Sequence, residues 1–169
     1  VAVQALLRVE TLPRDVWEPA CGSGNIVKVL RAAGHHVVAT DLYAYGCDKS
    51  ASGIDFLSGR FIPVGGAILT NPPYQHAQAF VEKALSLSSK VVMLLRMAFY
   101  ESARRSNILD NGKLARIHVF ANRLPMMHRS GSNPWTGPKA SSAMCFAWFV
   151  WDRNYKGPTT IDRIFWESS

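Results

Sequence analysis

Asn71, Pro72, Pro73 and Tyr74 follow directly on the apolar run Gly66 to Thr70. An exocyclic amine on a heteroaromatic ring is a poor nucleophile, because its lone pair is delocalised into the ring. Two acceptors aimed at its two N–H groups would stabilise a more tetrahedral nitrogen and expose the lone pair to a methyl donor. The Asn71 side-chain oxygen can be one acceptor and the Pro72 backbone carbonyl the other. Proline has no N–H and a fixed φ, so the pair Pro72 and Pro73 holds a stiff, extended segment with free carbonyls. Tyr74 can stack on the ring plane. Asn-Pro also ends strands as an ordinary turn dipeptide. Here four such residues stand together, downstream of a glycine turn and an acidic residue, and that favours the chemical reading.

The glycine turn is Glu18-Pro19-Ala20-Cys21-Gly22-Ser23-Gly24, between a strand-like and a helix-like run. Gly22 and Gly24 let the backbone turn tightly and approach a ligand without a Cβ in the way. Asp41 closes the next apolar run, 17 residues after Gly24. At that place in nucleotide-binding sheets an acidic residue accepts from both ribose hydroxyls. The turn lacks the third spaced glycine of the dinucleotide fingerprint and the Gly-Lys-Ser/Thr of a phosphate loop. Glu18 opposes a pyrophosphate and suits a cation. S-adenosylmethionine, with a sulfonium, an ammonium and a nucleoside, fits both Glu18 and Asp41. Direct methyl transfer needs no metal. It needs no cysteine nucleophile either, so Cys21 reads as a small packing residue.

The elements that must position these residues alternate. Arg14 to Glu18 reads as a strand, and Ile26, Val27, Val29 and Leu30 recur at helical spacing until Gly34. His36 to Thr40 is a second buried strand. Residues 43–53 read as loop, and Ile54 to Leu57 as a short third strand or its exit. Gly66 to Thr70 is a strand, Gln75 to Leu87 a helix, and Lys90 to Leu95 a strand. Residues 99–111 read as an arginine-bearing helix or lid. Ala115 to Phe120, Ala143 to Trp151 and residues 159–166 complete the strands, the last at an edge. Trp17, Trp148, Phe149 and Trp151 read as core, and His35 and His36 as structural. The pattern is α/β: a mostly parallel sheet with an antiparallel element near the C-terminal end.

The 169 residues are about one domain's worth, and the expectation is a single domain over 1–169 with a substrate-facing loop at 122–142. Hydrophobic residues make up 48% and charged residues 18% of the chain, which excludes a disordered chain or a coiled coil. The longest apolar run has nine residues, Ala143 to Trp151, against the ~20 that span a bilayer. The chain opens on Val1, and no basic-then-apolar leader is expected. Three widely spaced cysteines suggest neither a disulfide framework nor a zinc site, and a reducing, cytoplasmic setting fits them. The formal net charge is +7, and residues 96–139 carry +6 of it: eight basic residues against Glu101 and Asp110. A localised basic surface favours a polyanion, most simply nucleic acid. Arg104, Arg105, Arg123, Arg129 and Lys139 are the candidate phosphate contacts, with His128 beside them and Trp135 to stack on a base.

Glu18 to Gly24, Asp41, Asp55-Phe56 and Asn71 to Tyr74, in that order, resemble the S-adenosylmethionine-dependent amino-methyltransferases. The closest resemblance is to the DNA adenine-N6 methyltransferases of bacteria and their phages. It covers residues 14–96 well. The resemblance implies a Rossmann-like seven-stranded sheet, mostly parallel with one antiparallel strand. It implies that Glu18, Ala20, Gly22 and Gly24 line the methionine end of the cofactor, with Asn71 also beside it. Asp41 would hold the ribose, with Leu42 against the adenine. Asp55 would accept from the adenine amine, with Phe56 beside it, and Asn71 to Tyr74 would form the target-base site. The implied reaction is direct displacement on the N6 amine of a flipped-out DNA adenine. The motif also occurs in RNA-base methyltransferases and in glutamine-N5 methyltransferases of release factors. The chain has no room for the family's sizeable target-recognition region. That leaves open an oligomer, a partner subunit, or a partner-dependent, non-catalytic nucleic-acid-binding module.

Overall fold

The computed structural model describes residues 1–59, 61, 63, 65–124 and 144–166. The elements are α1 (Ala2–Leu7), β1 (Asp15–Glu18), α2 (Asn25–Ala32), β2 (His36–Thr40), β3 (Ser50–Ala51), β4 (Ala67–Thr70), α3 (Ala77–Leu87), β5 (Lys90–Arg96), α4 (Ser106–Leu109), β6 (Leu114–Phe120), β7 (Phe146–Asp152) and β8 (Thr160–Ile164). The strands form one sheet in the order β3-β2-β1-β4-β5-β7-β6-β8. β7 is antiparallel to both of its neighbours, and every other pairing is parallel. The mostly parallel sheet with one reversed strand is therefore present, with eight strands where seven are expected.

Period-2 alternation in the central strands divides the core into two layers. Val92 and Leu94 of β5 and Phe146, Trp148 and Val150 of β7 join α1 and α2 on one face. Val91, Met93, Leu95, Ala147, Phe149 and Trp151 join α3 and α4 on the other. These strands are apolar at every central position because both faces are covered. Each buried indole N–H finds an acceptor: Trp17 donates to Thr40 Oγ1 at 3.0 Å, Trp148 to the Ala2 carbonyl at 3.0 Å, and Trp151 to the Ile108 carbonyl at 2.7 Å.

Two local expectations are refined. The third strand is Ser50–Ala51, inside the expected loop 43–53; Ile54 to Leu57, expected as a short third strand or its exit, are its exit, with Phe56–Ser58 a single 3-10 turn capped by the Asp55 carboxylate. The expected helix over 99–111 is instead two 3-10 turns, Met97–Phe99 and Ala103–Arg105, and the four-residue α4. Extended Ser102 (φ −168°, ψ 119°) separates the turns. No helix among the described residues is long and apolar enough to cross a membrane.

At the N-terminal end of the parallel strands, α1 leads to the buried Glu10. Its carboxylate meets Lys90 Nζ at 2.7 Å, Arg116 Nε at 2.7 Å and His118 Nε2 at 3.3 Å. Asp152 lies 3.7 Å from both Lys90 and Arg116. This cluster ties the N-terminal segment to β5, β6 and β7, at the end of the sheet opposite the candidate site.

Candidate active site at the strand ends

The order β2-β1-β4-β5 reverses between β1 and β4, and the helices that follow these two strands pack on opposite faces. Such a switch point leaves a crevice beyond the carboxyl ends of the strands, where open α/β sheets place their ligands. Glu18 ends β1 and Thr70 ends β4, and the Thr70 hydroxyl donates to Glu18 Oε1 at 2.5 Å across that junction. Glu18 is fully buried, and its Oε2 has no hydrogen-bond partner among the described residues. Burial pushes its pKa well above the ordinary carboxylate range; the Thr70 bond opposes this, the Asp41 charge adds to it, and the Ala20 backbone opposes it.

From Glu18 the chain turns through Ala20, Cys21 and Gly22 to α2. The Cys21 N–H donates to the Thr40 carbonyl at 3.1 Å and the Gly24 N–H to the Cys21 carbonyl at 2.8 Å. Gly24 has φ +81°, and a Cβ there would lie 2.6 Å from Cys47 Sγ. Both the conformation and the close approach require glycine. At Gly22 (φ +51°) a Cβ would meet nothing within 4 Å, so only the conformation constrains it there.

Asp41, just past β2, is nearly buried. Its Oδ2 accepts the Gly22 N–H at 2.8 Å and its Oδ1 accepts the Tyr43 N–H at 3.0 Å. The carboxylate thus sets the glycine turn and the following loop at once, and each oxygen retains a second lone pair. Leu42 follows, 47% exposed. Ile54 and Gly53 donate backbone N–H groups to the Asp41 and Leu42 carbonyls, which brings Asp55 to the same end of the sheet. Asp55 is exposed, and its Oδ1 accepts the Leu57 N–H at 2.9 Å. Phe56 differs from the expected ligand wall: it is buried, 5.1 Å from the Trp17 ring and 4.8 Å from the Phe80 ring.

β4 delivers Asn71 exposed, Pro72 buried and Pro73 extended (φ −57°, ψ 121°). The Pro73 carbonyl accepts the His76 N–H at 2.9 Å, closing the 3-10 turn Tyr74–His76 that leads into α3. Burial raises the Tyr74 pKa; the Arg96 charge and the neighbouring Asn71 side chain oppose the rise. Arg96, the last residue of β5, sets its guanidinium carbon 4.4 Å from the Tyr74 ring centroid, and the Phe146 ring lies 5.9 Å from it.

Glu18, Gly22, Gly24, Asp41 and Asn71 to Tyr74 are therefore gathered at one end of three adjacent strands, β2, β1 and β4. Three of the basic candidates fall within the described residues. Arg104 and Arg123 are exposed, but Arg105 turns inward, donating to the Phe99 carbonyl at 2.9 Å with its guanidinium over the Phe99 ring. His128, Arg129, Trp135 and Lys139 lie outside the described residues. Two residues at the site were not anticipated, Thr70 and Arg96. Each is the polar residue that ends an apolar strand, beside the expected motif or on the next strand, and that position was the available signal.

No family model matches the chain, and no curated protein does. Solved structures match its fold. A TehB-like SAM-dependent methyltransferase from Corynebacterium glutamicum superposes with TM-score 0.54 at 12% identity, over 88% of this chain and 85% of that one. The 23S rRNA methyltransferase ErmE gives TM-score 0.53 at 16% identity, over 91% and 69%. A dimethyladenosine transferase from Plasmodium falciparum gives TM-score 0.56 at 15% identity, over 88% and 59%. At these identities the likeness is one of fold.

Proposed function

We propose that this chain, sharing the methyltransferase fold, is an S-adenosylmethionine-dependent methyltransferase that acts on the N6 amine of adenine in nucleic acid, with DNA as the leading substrate. The observation that carries the proposal is the placement of Asn71-Pro72-Pro73-Tyr74 at the end of β4, one strand from Glu18 and two from Asp41. Two features fit the cofactor: the orphaned, buried Glu18 Oε2, suited to a cation, and the open space over the positive-φ Gly22. S-adenosylmethionine, when bound, supplies the electrophilic methyl group. Ala20, Gly22 and Gly24 would border its amino-acid end, Asp41 its ribose, and Leu42 and Asp55 its adenine.

This chain's own work is positioning and polarisation. Asn71 Oδ1 and the Pro72 carbonyl accept from the two N–H groups of the target amine and hold its lone pair outward. Tyr74, a phenol whose pKa burial raises further, offers a neutral ring to a neutral base.

RNA is the second reading. ErmE is named for ribosomal RNA, and the same polarisation applies to an adenine in either polymer. The test is methyl transfer from labelled S-adenosylmethionine to unmethylated duplex DNA and to structured RNA, with digestion to nucleosides. The expected product is N6-methyladenine, and Asn71→Ala is expected to lower kcat about 10²- to 10³-fold with cofactor affinity within threefold. Full activity in Asn71→Ala would overturn the mechanism. Cofactor binding without transfer to either polymer would favour a non-catalytic, partner-dependent binding module.

A further inference from the structure

Arg96 differs from the other interior-facing cations of the sheet. Lys90 and Arg116 are each paired with Glu10 and lie near Asp152. Arg31 is spent on the carbonyls of Val37, Asp48 and Lys49; Arg105 donates to the Phe99 carbonyl, away from Tyr74, although its Nε is unpaired too. Arg96 makes no ion pair among the described residues, and its buried Nε has no hydrogen-bond partner. Its guanidinium lies over Tyr74 instead. A guanidinium stays charged throughout the working pH range, so this is a permanent cation with donors to spare, held against the ring that closes the target-base site.

The missing acceptor should be an oxyanion, because the planar fork matches carboxylate or phosphate. The amino-acid end of the cofactor belongs to the glycine turn after β1. β4 stands between β1 and β5, so the ends of those strands are two strand spacings apart, about 10 Å. Arg96 is on the target side. A glutamine side chain would bring no anion there, whereas a nucleotide carries its base and its phosphate within one side chain's reach of each other.

We infer that Arg96 binds the phosphate of the nucleotide whose base enters the Asn71–Tyr74 site, which makes nucleic acid rather than a protein amide the substrate class. The inference rests on the methyltransferase reading above and adds its substrate contact. Stacked on Tyr74 in the free protein, the guanidinium is held ready and needs little ordering when the strand arrives.

The test uses fluorescence anisotropy of a labelled mixed-sequence oligonucleotide, as DNA and as RNA, from 50 to 300 mM salt. The variants are Arg96→Gln, Arg96→Met, which keeps the stem's packing on Tyr74, and Arg96→Lys, which keeps the charge. S-adenosylmethionine binding is measured on the same samples by calorimetry. The glutamine and methionine variants are expected to lose about 0.7–0.9 from the slope of log K against log salt, and five- to tenfold in affinity near 0.1 M salt. Arg96→Lys should keep the slope, and cofactor affinity should stay within twofold throughout. In turnover, KM for the nucleic acid should rise more than kcat falls. A wild-type slope in both Arg96→Gln and Arg96→Met would overturn the inference. So would a tenfold loss of cofactor affinity with the slope intact, which would assign the guanidinium to the cofactor's carboxylate. Failure of the wild-type protein to bind S-adenosylmethionine would overturn the methyltransferase reading itself, a result separate from either of these.

Discussion

Glu18 carries the sharpest consequence at the scale of single residues. Its folded pKa is raised by burial, with Asp41 adding to the rise against the Thr70 bond. The sign follows: a raised carboxylate contributes stability that is fully present below its unfolded pKa and is lost as pH rises through the folded value. The buried group keeps its proton to higher pH than an exposed carboxyl does. Binding of the cofactor's ammonium beside Glu18 should therefore release a proton, and affinity should increase with pH up to the folded pKa. Calorimetry at pH 7 in two buffers of different ionisation enthalpy checks this. The expected release is a fraction of one proton in the wild type and none in Glu18→Gln; equal heats in both buffers for the wild type would disprove it. The position of Glu18 at the head of the crevice was legible in the sequence because an acidic residue opening a glycine turn is a local fact. Arg96 was not legible as a site residue. Its partner Tyr74 is reached only by pairing β5 with β4, and its charge was lost among those of a basic stretch.

Elements fix what these residues can do, and Gly24 shows how tightly. The turn before α2 needs φ +81° there and passes Cys47 Sγ so closely that a Cβ would stand 2.6 Å from it. Gly24→Ala should cost about 1–2 kcal/mol for the left-handed backbone, and more for the contact. Cys47→Ala should recover the contact part and leave the conformational part. A double-mutant cycle by urea denaturation separates the two, and strict additivity would show that the sulfur is no obstacle. The strands and helices that carry the site were readable from periodicity and turn residues: the glycines after Glu18, Gly34 after α2, and the prolines after β4. Ser50–Ala51 was not readable, since two residues carry no period. The arginine-bearing helix or lid expected over 99–111 is broken because residue types do not register the extended Ser102. The burial of Phe56 was not readable, because Trp17 and Phe80, which pack on its ring, are distant in sequence.

Over the whole molecule, the sheet is held differently at its two ends. The site end keeps a carboxylate and a guanidinium short of partners, whereas the opposite end saturates Glu10 with His118, Arg116 and Lys90. Burial alone would raise the Glu10 pKa; those three partners outweigh it and lower it from 4.5 to about 2. A depressed carboxylate gives stability that is present above its unfolded pKa and lost as pH falls through the folded one. The unfolding free energy from urea titrations should therefore drop between about pH 4.5 and pH 2, by on the order of 3 kcal/mol from this group. Glu10→Gln should flatten that limb and lower the plateau at pH 7, because Arg116 and Lys90 lose their partner. An unchanged acid limb in the variant would show that other carboxylates set it.

The reversed strand also constrains how the chain is made. β7 lies between β5 and β6, paired with both along most of its length, yet it follows both in sequence. During synthesis β5 and β6 emerge with no partner between them, and the middle of the sheet closes only when residue 152 is available. Until then each presents an apolar edge, Val91 to Leu95 on one and Ile117 to Phe120 on the other, of the kind that recruits foreign strands. A chain stopped after residue 142 should aggregate although it contains every residue assigned to the cofactor. Supplying β7 in trans should restore solubility more effectively than adding the cofactor. Survival of the nascent protein should thus depend on residues 143–169, which carry none of the residues assigned to the reaction.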